Sequence, residues 1–90
     1  MRFVWIGFMK AGADADQRIL QQETGFLQQP YIKILSAGAL RDEDGRRLGM
    51  MMIFETEDRS TAEALVAGSP FRRAGLYEHY HLAEFLDEVG

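Results

Sequence analysis

Runs of apolar residues and of alternating apolar and polar residues predict four strands in this chain. Arg2 to Lys10 is apolar at odd and even positions alike, which is typical of a strand covered on both faces. Residues of high β-propensity from Tyr31 to Leu40 and from Leu48 to Thr56 predict two more strands, joined by a loop that contains an Asp-Gly turn signal. A fourth strand is predicted from Leu76 onwards, where the side chains alternate again.

The first helical segment places a carboxylate on its apolar face. It runs to about Gln29, and either Asp14 or Asp16 can cap its N-terminus. Glu23 occupies the middle turn of the apolar stripe, one helical turn from the apolar residues on either side. A buried carboxylate without a partner is costly, so two alternatives follow. Glu23 either reaches the rim and pairs with an arginine, or it lines a pocket. The apolar residues of this stripe are Ile19, Leu20, Phe26 and Leu27.

The second helical segment is marked at both of its ends. The run from Ser60 to Glu63 matches the capping box, in which the serine side chain accepts from an amide of the first turn, so we predict a helix over about 61–67. Gly68 precedes Ser69 and Pro70, and we expect it to end this helix in the left-handed conformation. The predicted order of elements is therefore strand, helix, strand, strand, helix, strand.

That order predicts an α+β fold of the ferredoxin-like type, with a four-stranded antiparallel sheet and both helices on one face. The opposite face of the sheet is then left open. Because the strand from Arg2 to Lys10 is apolar on both sides, the open face needs a cover, which we expect to be a second copy of the chain.

The fourth strand carries both histidines of the chain. Every second residue of a regular strand lies on the same side, which groups Tyr77 with His79 and His81. We therefore expect these three side chains to form one wall of any cleft beside the strand.

Composition excludes several classes of function. The 90 residues are 47% hydrophobic and 27% charged, which is typical of one globular domain. Without cysteine there is no disulfide, thiolate metal site or cysteine nucleophile. The net charge of −4 argues against a nucleic-acid partner. No apolar run is long enough for a membrane span and no signal peptide is evident, so we expect a cytoplasmic protein without a membrane partner.

Several short motifs, in their order and spacing, resemble those of the YciI-like (YCII-related) family over nearly the whole chain, 1–90. The resemblance implies a dimeric α/β barrel, in which the open sheet faces of two subunits pack together. It also implies a small cleft between the first helix, the segment after the second helix and the sheet. The motifs are Phe26-Leu27, Ser36-Ala-Gly-Ala-Leu40, Asp42-Glu-Asp-Gly45 and Gly49, Ser60-Thr-Ala-Glu-Ala64, and Ser69-Pro-Phe-Arg-Arg-Ala-Gly-Leu-Tyr-Glu-His79.

Two polar positions depart from the family pattern. The family usually has a histidine in the first helix shortly before the aromatic-leucine pair, where this chain has Glu23, with Gln21 as a second candidate for that position. Family members also tend to have Asp-Pro-aromatic where this chain has Ser69, Pro70 and Phe71. The histidine and aspartate that the resemblance implies are therefore both replaced.

Two hypotheses of function follow. The first is a small-molecule enzyme with Glu23 as acid or base, because a carboxylate in an apolar cleft can be tuned for proton transfer. The second is a non-catalytic dimeric module that binds a ligand and has lost the family's histidine and aspartate. A zinc site from Glu23, His79 and His81 is a weaker alternative, and we predict no metal and no cofactor. The candidate catalytic residues are Glu23, Ser69, His79 and His81, and the candidate ligand-binding residues are Gln21, Arg72, Arg73 and Tyr77.

Overall fold

A computed structural model describes residues 1–89 and contains a four-stranded antiparallel sheet with three helices. The predicted α+β, ferredoxin-like order is confirmed, with one added helical turn, α3, before the last strand. None of the helices in this part of the chain is long and apolar enough to cross a lipid bilayer. The elements are β1 (Arg2–Met9), α1 (Gln17–Leu27), β2 (Lys33–Arg41), β3 (Arg47–Glu55), α2 (Arg59–Ala67), α3 (Pro70–Arg73) and β4 (Tyr77–Glu84).

The sheet has the strand order β2-β3-β1-β4, so β1 lies inside it and pairs antiparallel with both β3 and β4. The two-sided apolar character of β1 has a simple basis in this position. Its odd residues, such as Phe3 and Trp5, are fully buried beneath the helices. Its even residues, such as Val4 and Ile6, are half-buried on the face that carries no helix.

The core lies between the sheet and the helices. Alternate residues of β1 and β3 supply its floor, and α2 and α3 supply its roof. Two of the three consecutive methionines belong to it, whereas Met51 points to the open face. The buried apolar residues are Phe3, Trp5, Met50, Met52, Phe54, Ala62, Val66, Phe71 and Tyr77.

Two glycines lie at positions in the sheet where a side chain would collide with its surroundings. A Cβ atom on Gly7 would lie 2.7 Å from the ring atoms of Trp5 and Tyr77. A Cβ atom on Gly49 would overlap the carbonyl oxygen of Gly7, which is backbone and has no room to move. A larger residue at Gly49 would push β1 and β3 apart, whereas one at Gly7 would displace the rings of Trp5 and Tyr77.

The first two helices begin at aspartates. Asp16, one of the two candidates, caps α1 by accepting a hydrogen bond from the Ile19 amide at 2.9 Å. Asp58 caps α2 by accepting from the Thr61 amide at 2.8 Å. These two bonds satisfy amides of the first turn, which lack partners inside the helix.

The predicted capping box is wrong, because α2 begins two residues earlier than that motif requires. Ser60 lies in the first turn of the helix and Asp58 is the cap. The Glu63 carboxylate contacts the Arg59 Nε at 3.2 Å, one turn back on the same helix. Gly68 does end α2, but with φ −85° it is not left-handed, in contrast to our expectation. The left-handed glycine of this region is Gly75, with φ 72°, just beyond α3.

A β-bulge in β4 corrects the predicted faces of that strand. Phe8 of β1 pairs with His79, but the next residue, Met9, pairs with Tyr77, so Glu78 is an extra residue in β4. Alternation is broken there. Tyr77 lies on the helix side of the sheet, whereas His79 and His81 lie on the open face. Grouping these three side chains on one face was therefore wrong.

Candidate active site

A buried carboxylate lies between α1 and α3. Glu23 is on the face of α1 that meets the rest of the molecule, and only 3% of its surface is exposed. Its Oε1 atom accepts hydrogen bonds from the Ser69 hydroxyl at 2.8 Å and from the Phe71 amide at 3.1 Å. No lysine, arginine or histidine within residues 1–89 forms an ion pair with it. Of the two alternatives for Glu23, pairing with an arginine is therefore excluded for this part of the chain.

The short helix α3 delivers both donors to this carboxylate. Ser69 caps α3, Pro70 occupies a position in its first turn where a missing amide costs nothing, and Phe71 is buried in the core. The Ser69 hydroxyl has one hydrogen to donate, and it gives this to Glu23 while its oxygen accepts from the Arg72 amide at 3.4 Å. The hydrogen bond between Glu23 and Ser69 thus joins α1 to α3. The Phe71 amide also belongs to this site, and a sequence motif could not reveal it because it is a backbone group.

Tyr77 closes the inner side of this cluster. It is buried, with its ring 4.9 Å from that of Trp5, and its hydroxyl donates to the Met50 sulfur at 3.8 Å. Burial raises the pKa of Tyr77, and the negative charge of Glu23 raises it further, while Arg47 acts in the opposite direction. Tyr77 therefore keeps its proton at neutral pH and acts there as a hydrogen-bond donor.

The two histidines lie on the other side of the sheet. Their rings are 6.1 Å apart and exposed, and His79 packs 5.1 Å from Phe8 on the open face. The structure therefore does not bring His79 and His81 together with Glu23. A zinc site shared by these three residues is contradicted by this arrangement, and no group of three metal-binding side chains occurs within residues 1–89.

The remaining candidates are dispersed over the helix side. Gln21 is exposed on α1, whereas Glu23 contacts Ser69. Of these two candidates, Glu23 is therefore the one that faces the segment after α2. The Arg72 guanidinium lies 4.6 Å above the ring of Tyr80, away from Glu23. Arg73 is exposed and borders a groove between α1 and α3.

That groove is lined by Gln22 and Pro70, which are adjacent in the chain to Glu23 and Ser69. It has a volume of about 480 Å³ and includes direct chain neighbours of both residues. The carboxylate itself is covered, so the single turn of α3 separates it from solvent. The groove is lined by Ile19, Gln22, Pro70, Arg73 and Ala74.

The fold and the buried carboxylate together define a ferredoxin-like domain with a polar cluster between its first helix and the segment after its second. The chain belongs to the family of the YCII-related domain, whose family model matches residues 1–86. The resemblance noted from the short motifs is thereby confirmed. No curated protein matches the chain.

Solved structures share this fold. One is the 5-chloro-2-hydroxyhydroquinone dehydrochlorinase TftG from Burkholderia phenoliruptrix AC1100, in complex with 2,5-dihydroxybenzoquinone; it is 18% identical, with a TM-score of 0.76, covering 96% of this chain and 94% of that one. Another is the hypothetical protein PHS023 from Pyrococcus horikoshii, 13% identical, with a TM-score of 0.55, covering 98% and 94%. At these identities the likeness establishes the fold alone.

Proposed function

We propose that this protein is a small-molecule enzyme that transfers protons to and from its substrate through Glu23. The observation that carries the proposal is the Glu23 carboxylate itself, which is 3% exposed, has no cationic partner within residues 1–89, and is fixed by the Ser69 hydroxyl and the Phe71 amide. A buried carboxylate kept without a neutralising charge is costly for stability and is typical of acid–base sites.

The roles follow from the donors and acceptors around it. Glu23 takes or gives the proton, and Ser69 is a positioning residue that orients the carboxylate through its hydroxyl. Tyr77 remains protonated at neutral pH, and its hydroxyl donates to the Met50 sulfur. The substrate binds in the groove between α1 and α3, beside Gln22 and Pro70, which are the chain neighbours of Glu23 and Ser69.

The substrate class we propose is a small hydroxylated aromatic compound. TftG, which shares the fold over nearly its whole length, is a dehydrochlorinase of a chlorinated hydroquinone. Loss of hydrogen chloride needs a base for the proton and an exit for chloride, but no oxidant or reductant. The residues around Glu23 supply a base without a metal. For this reason we favour an enzyme over the alternative of a non-catalytic binding module.

The test is chloride release from 5-chloro-2-hydroxyhydroquinone by the purified protein. We expect turnover by the natural sequence, and Glu23→Gln should lower kcat by about 100-fold or more, because the amide keeps the size but cannot take a proton. Glu23→Asp should keep part of the rate. The matched control is Glu43→Gln, the same change on an exposed loop residue, which should leave the rate unchanged.

Two outcomes would overturn this proposal. An unchanged rate in Glu23→Gln would exclude the carboxylate as the acid or base. A natural protein that releases no chloride from this substrate, under conditions in which TftG does, would remove the substrate class.

We also propose a homodimer through the open sheet face. The occupant we infer is a second copy, because half-buried apolar side chains on two central strands form a surface that is complementary to itself. Light scattering should give about twice the 10.2 kDa chain mass. Ile6→Asp should give a monomer, while Thr61→Asp, on the helix side, should remain a dimer. A natural protein that is monomeric at micromolar concentration would refute the proposal. The apolar residues of this face are Val4, Ile6, Phe8, Met51 and Ile53.

A further inference from the structure

A second cleft lies on the helix side of the sheet, between α2, α3 and the edge strand β4. Its volume is about 400 Å³, within the usual range for small-molecule sites. Neither Glu23 nor Ser69 lines it, so it is separate from the candidate active site. Val66 and Leu82 give it apolar walls, and Trp5 and Tyr80 add two stacked rings 6.2 Å apart.

The charges of this cleft are unbalanced in favour of an anion. Two arginines line it, Arg59 from α2 and Arg72 from α3, against the single carboxylate of Glu63. Glu63 already pairs with Arg59 at 3.2 Å, and Arg59 also donates to the Leu82 carbonyl oxygen at 3.0 Å. Arg72 has no carboxylate partner within residues 1–89. Its guanidinium carbon lies 4.6 Å from the centroid of the Tyr80 ring, and its N–H groups form a planar fork of donors.

The cleft also contains a buried donor that lacks an acceptor. Trp5 is 2% exposed and its indole N–H has no hydrogen-bond partner in the described chain. Buried indole N–H groups usually find a partner, because an unsatisfied buried donor is costly. The nitrogen atom has almost no exposed surface, so the N–H makes no contact with a ligand, but the Trp5 ring lines the cleft and reports on what binds there.

We propose that this cleft binds a small organic carboxylate with a flat apolar body. The carboxylate is held by the fork of Arg72, which matches its geometry. The apolar body packs between Leu82 and Val66. A bare inorganic anion would satisfy the arginine but leave these walls empty.

The indole N–H resonance of Trp5 gives a direct test, because this is the only tryptophan of the chain. Titration of the full-length protein with benzoate should shift that resonance, while benzamide, which has the same shape without the charge, should bind at least about tenfold more weakly. Inorganic phosphate should also bind more weakly than benzoate. Equal binding of benzamide or of phosphate would overturn the proposed ligand class.

Replacement of single arginines tests whether benzoate binds in this cleft. Arg72→Gln should weaken benzoate binding by about tenfold, the loss expected for one charged hydrogen-bonding partner. Arg73→Gln, the same change one residue further along α3 and outside the cleft, should not. The reverse pattern would place benzoate in the groove between α1 and α3 and refute the proposal. If Arg72→Gln fails to fold, Arg72→Lys tests the fork, since it keeps the charge and should still weaken binding. Glu23→Gln should bind benzoate as the natural protein does, so this proposal and the catalytic one fail separately.

Discussion

Removal of the Ser69 hydroxyl is the sharpest test of the buried polar cluster. In Ser69→Ala, Glu23 loses its shorter hydrogen bond, at 2.8 Å, and keeps only the Phe71 amide at 3.1 Å. Both residues are 3% exposed, so water does not replace the lost donor. Hydrogen bonds to charged groups contribute about 1.5–3 kcal/mol, and we expect the free energy of unfolding to fall by that amount. For a domain of this size the melting temperature should drop by about 6–24 °C.

The assay is urea unfolding at neutral pH, with Ser60→Ala as the matched control. Ser60 is an exposed serine in the first turn of α2, and its loss should change the free energy of unfolding by less than about 0.5 kcal/mol. The cost of Ser69→Ala should also shrink toward about 1 kcal/mol when Glu23 is replaced by glutamine, because the acceptor is then neutral. Equal effects of Ser69→Ala and Ser60→Ala would refute the argument that the serine stabilises a buried charge.

Three further predictions concern stability. Because the pKa of Tyr77 is raised in the folded protein, the unfolded tyrosine ionises first and rising pH favours unfolding. Tyr77→Phe should therefore reduce the loss of stability above about pH 10, whereas Tyr31→Phe, at a residue that is 90% exposed, should change nothing. The hydrogen bond from the Thr61 amide lowers the pKa of Asp58, so the stability that this bond contributes is present above about pH 4 and is lost as the pH falls. Asp58→Asn, which keeps the acceptor, should make the free energy of unfolding in urea depend less on pH below about pH 4, and an unchanged dependence would contradict this. Gly49→Ala should unfold the protein or lower its melting temperature sharply, whereas Gly38→Ala, with open space around its Cβ, should have little effect. If the two variants melt at similar temperatures, the strands adjust to the added methyl group and the argument is wrong.

The sequence predicts the fold because the fold depends on features that residue types display. The two-sided apolar strand β1, the Asp-Gly turn before β3 and the stop at Gly68 are all local patterns, and together they determine the order of elements. The helix α3 escapes this reasoning, since four residues are too few for any helical period, although Ser69 and Pro70 form a good start and Gly75 a good end. The start of α2 is ambiguous for a different reason: Asp58 and Ser60 are equally good caps, and only the path of the chain decides between them.

The candidate site was only partly predictable. Glu23 is identified by its position on an apolar stripe, and its contact with Ser69 follows from the family resemblance. The position of the histidines could not be obtained in this way, because the extra residue Glu78 leaves no mark on the alternation that precedes or follows it. The N–H groups of Phe71 and Trp5 are equally hidden, since residue type does not reveal which donors lack partners.

The bulge at Glu78 has a consequence for the divergence of this family. A strand with an extra residue has two independent halves, so the half that holds Tyr77 in the core can change without altering which side chains the other half presents to the open face. Because Met9 already pairs with Tyr77 and Phe8 with His79, a relative without Glu78 would pair regularly and keep every side chain of β4 on its present face. The bulge therefore absorbs a change in chain length, so relatives of this fold can gain or lose one residue here without moving a histidine into the core.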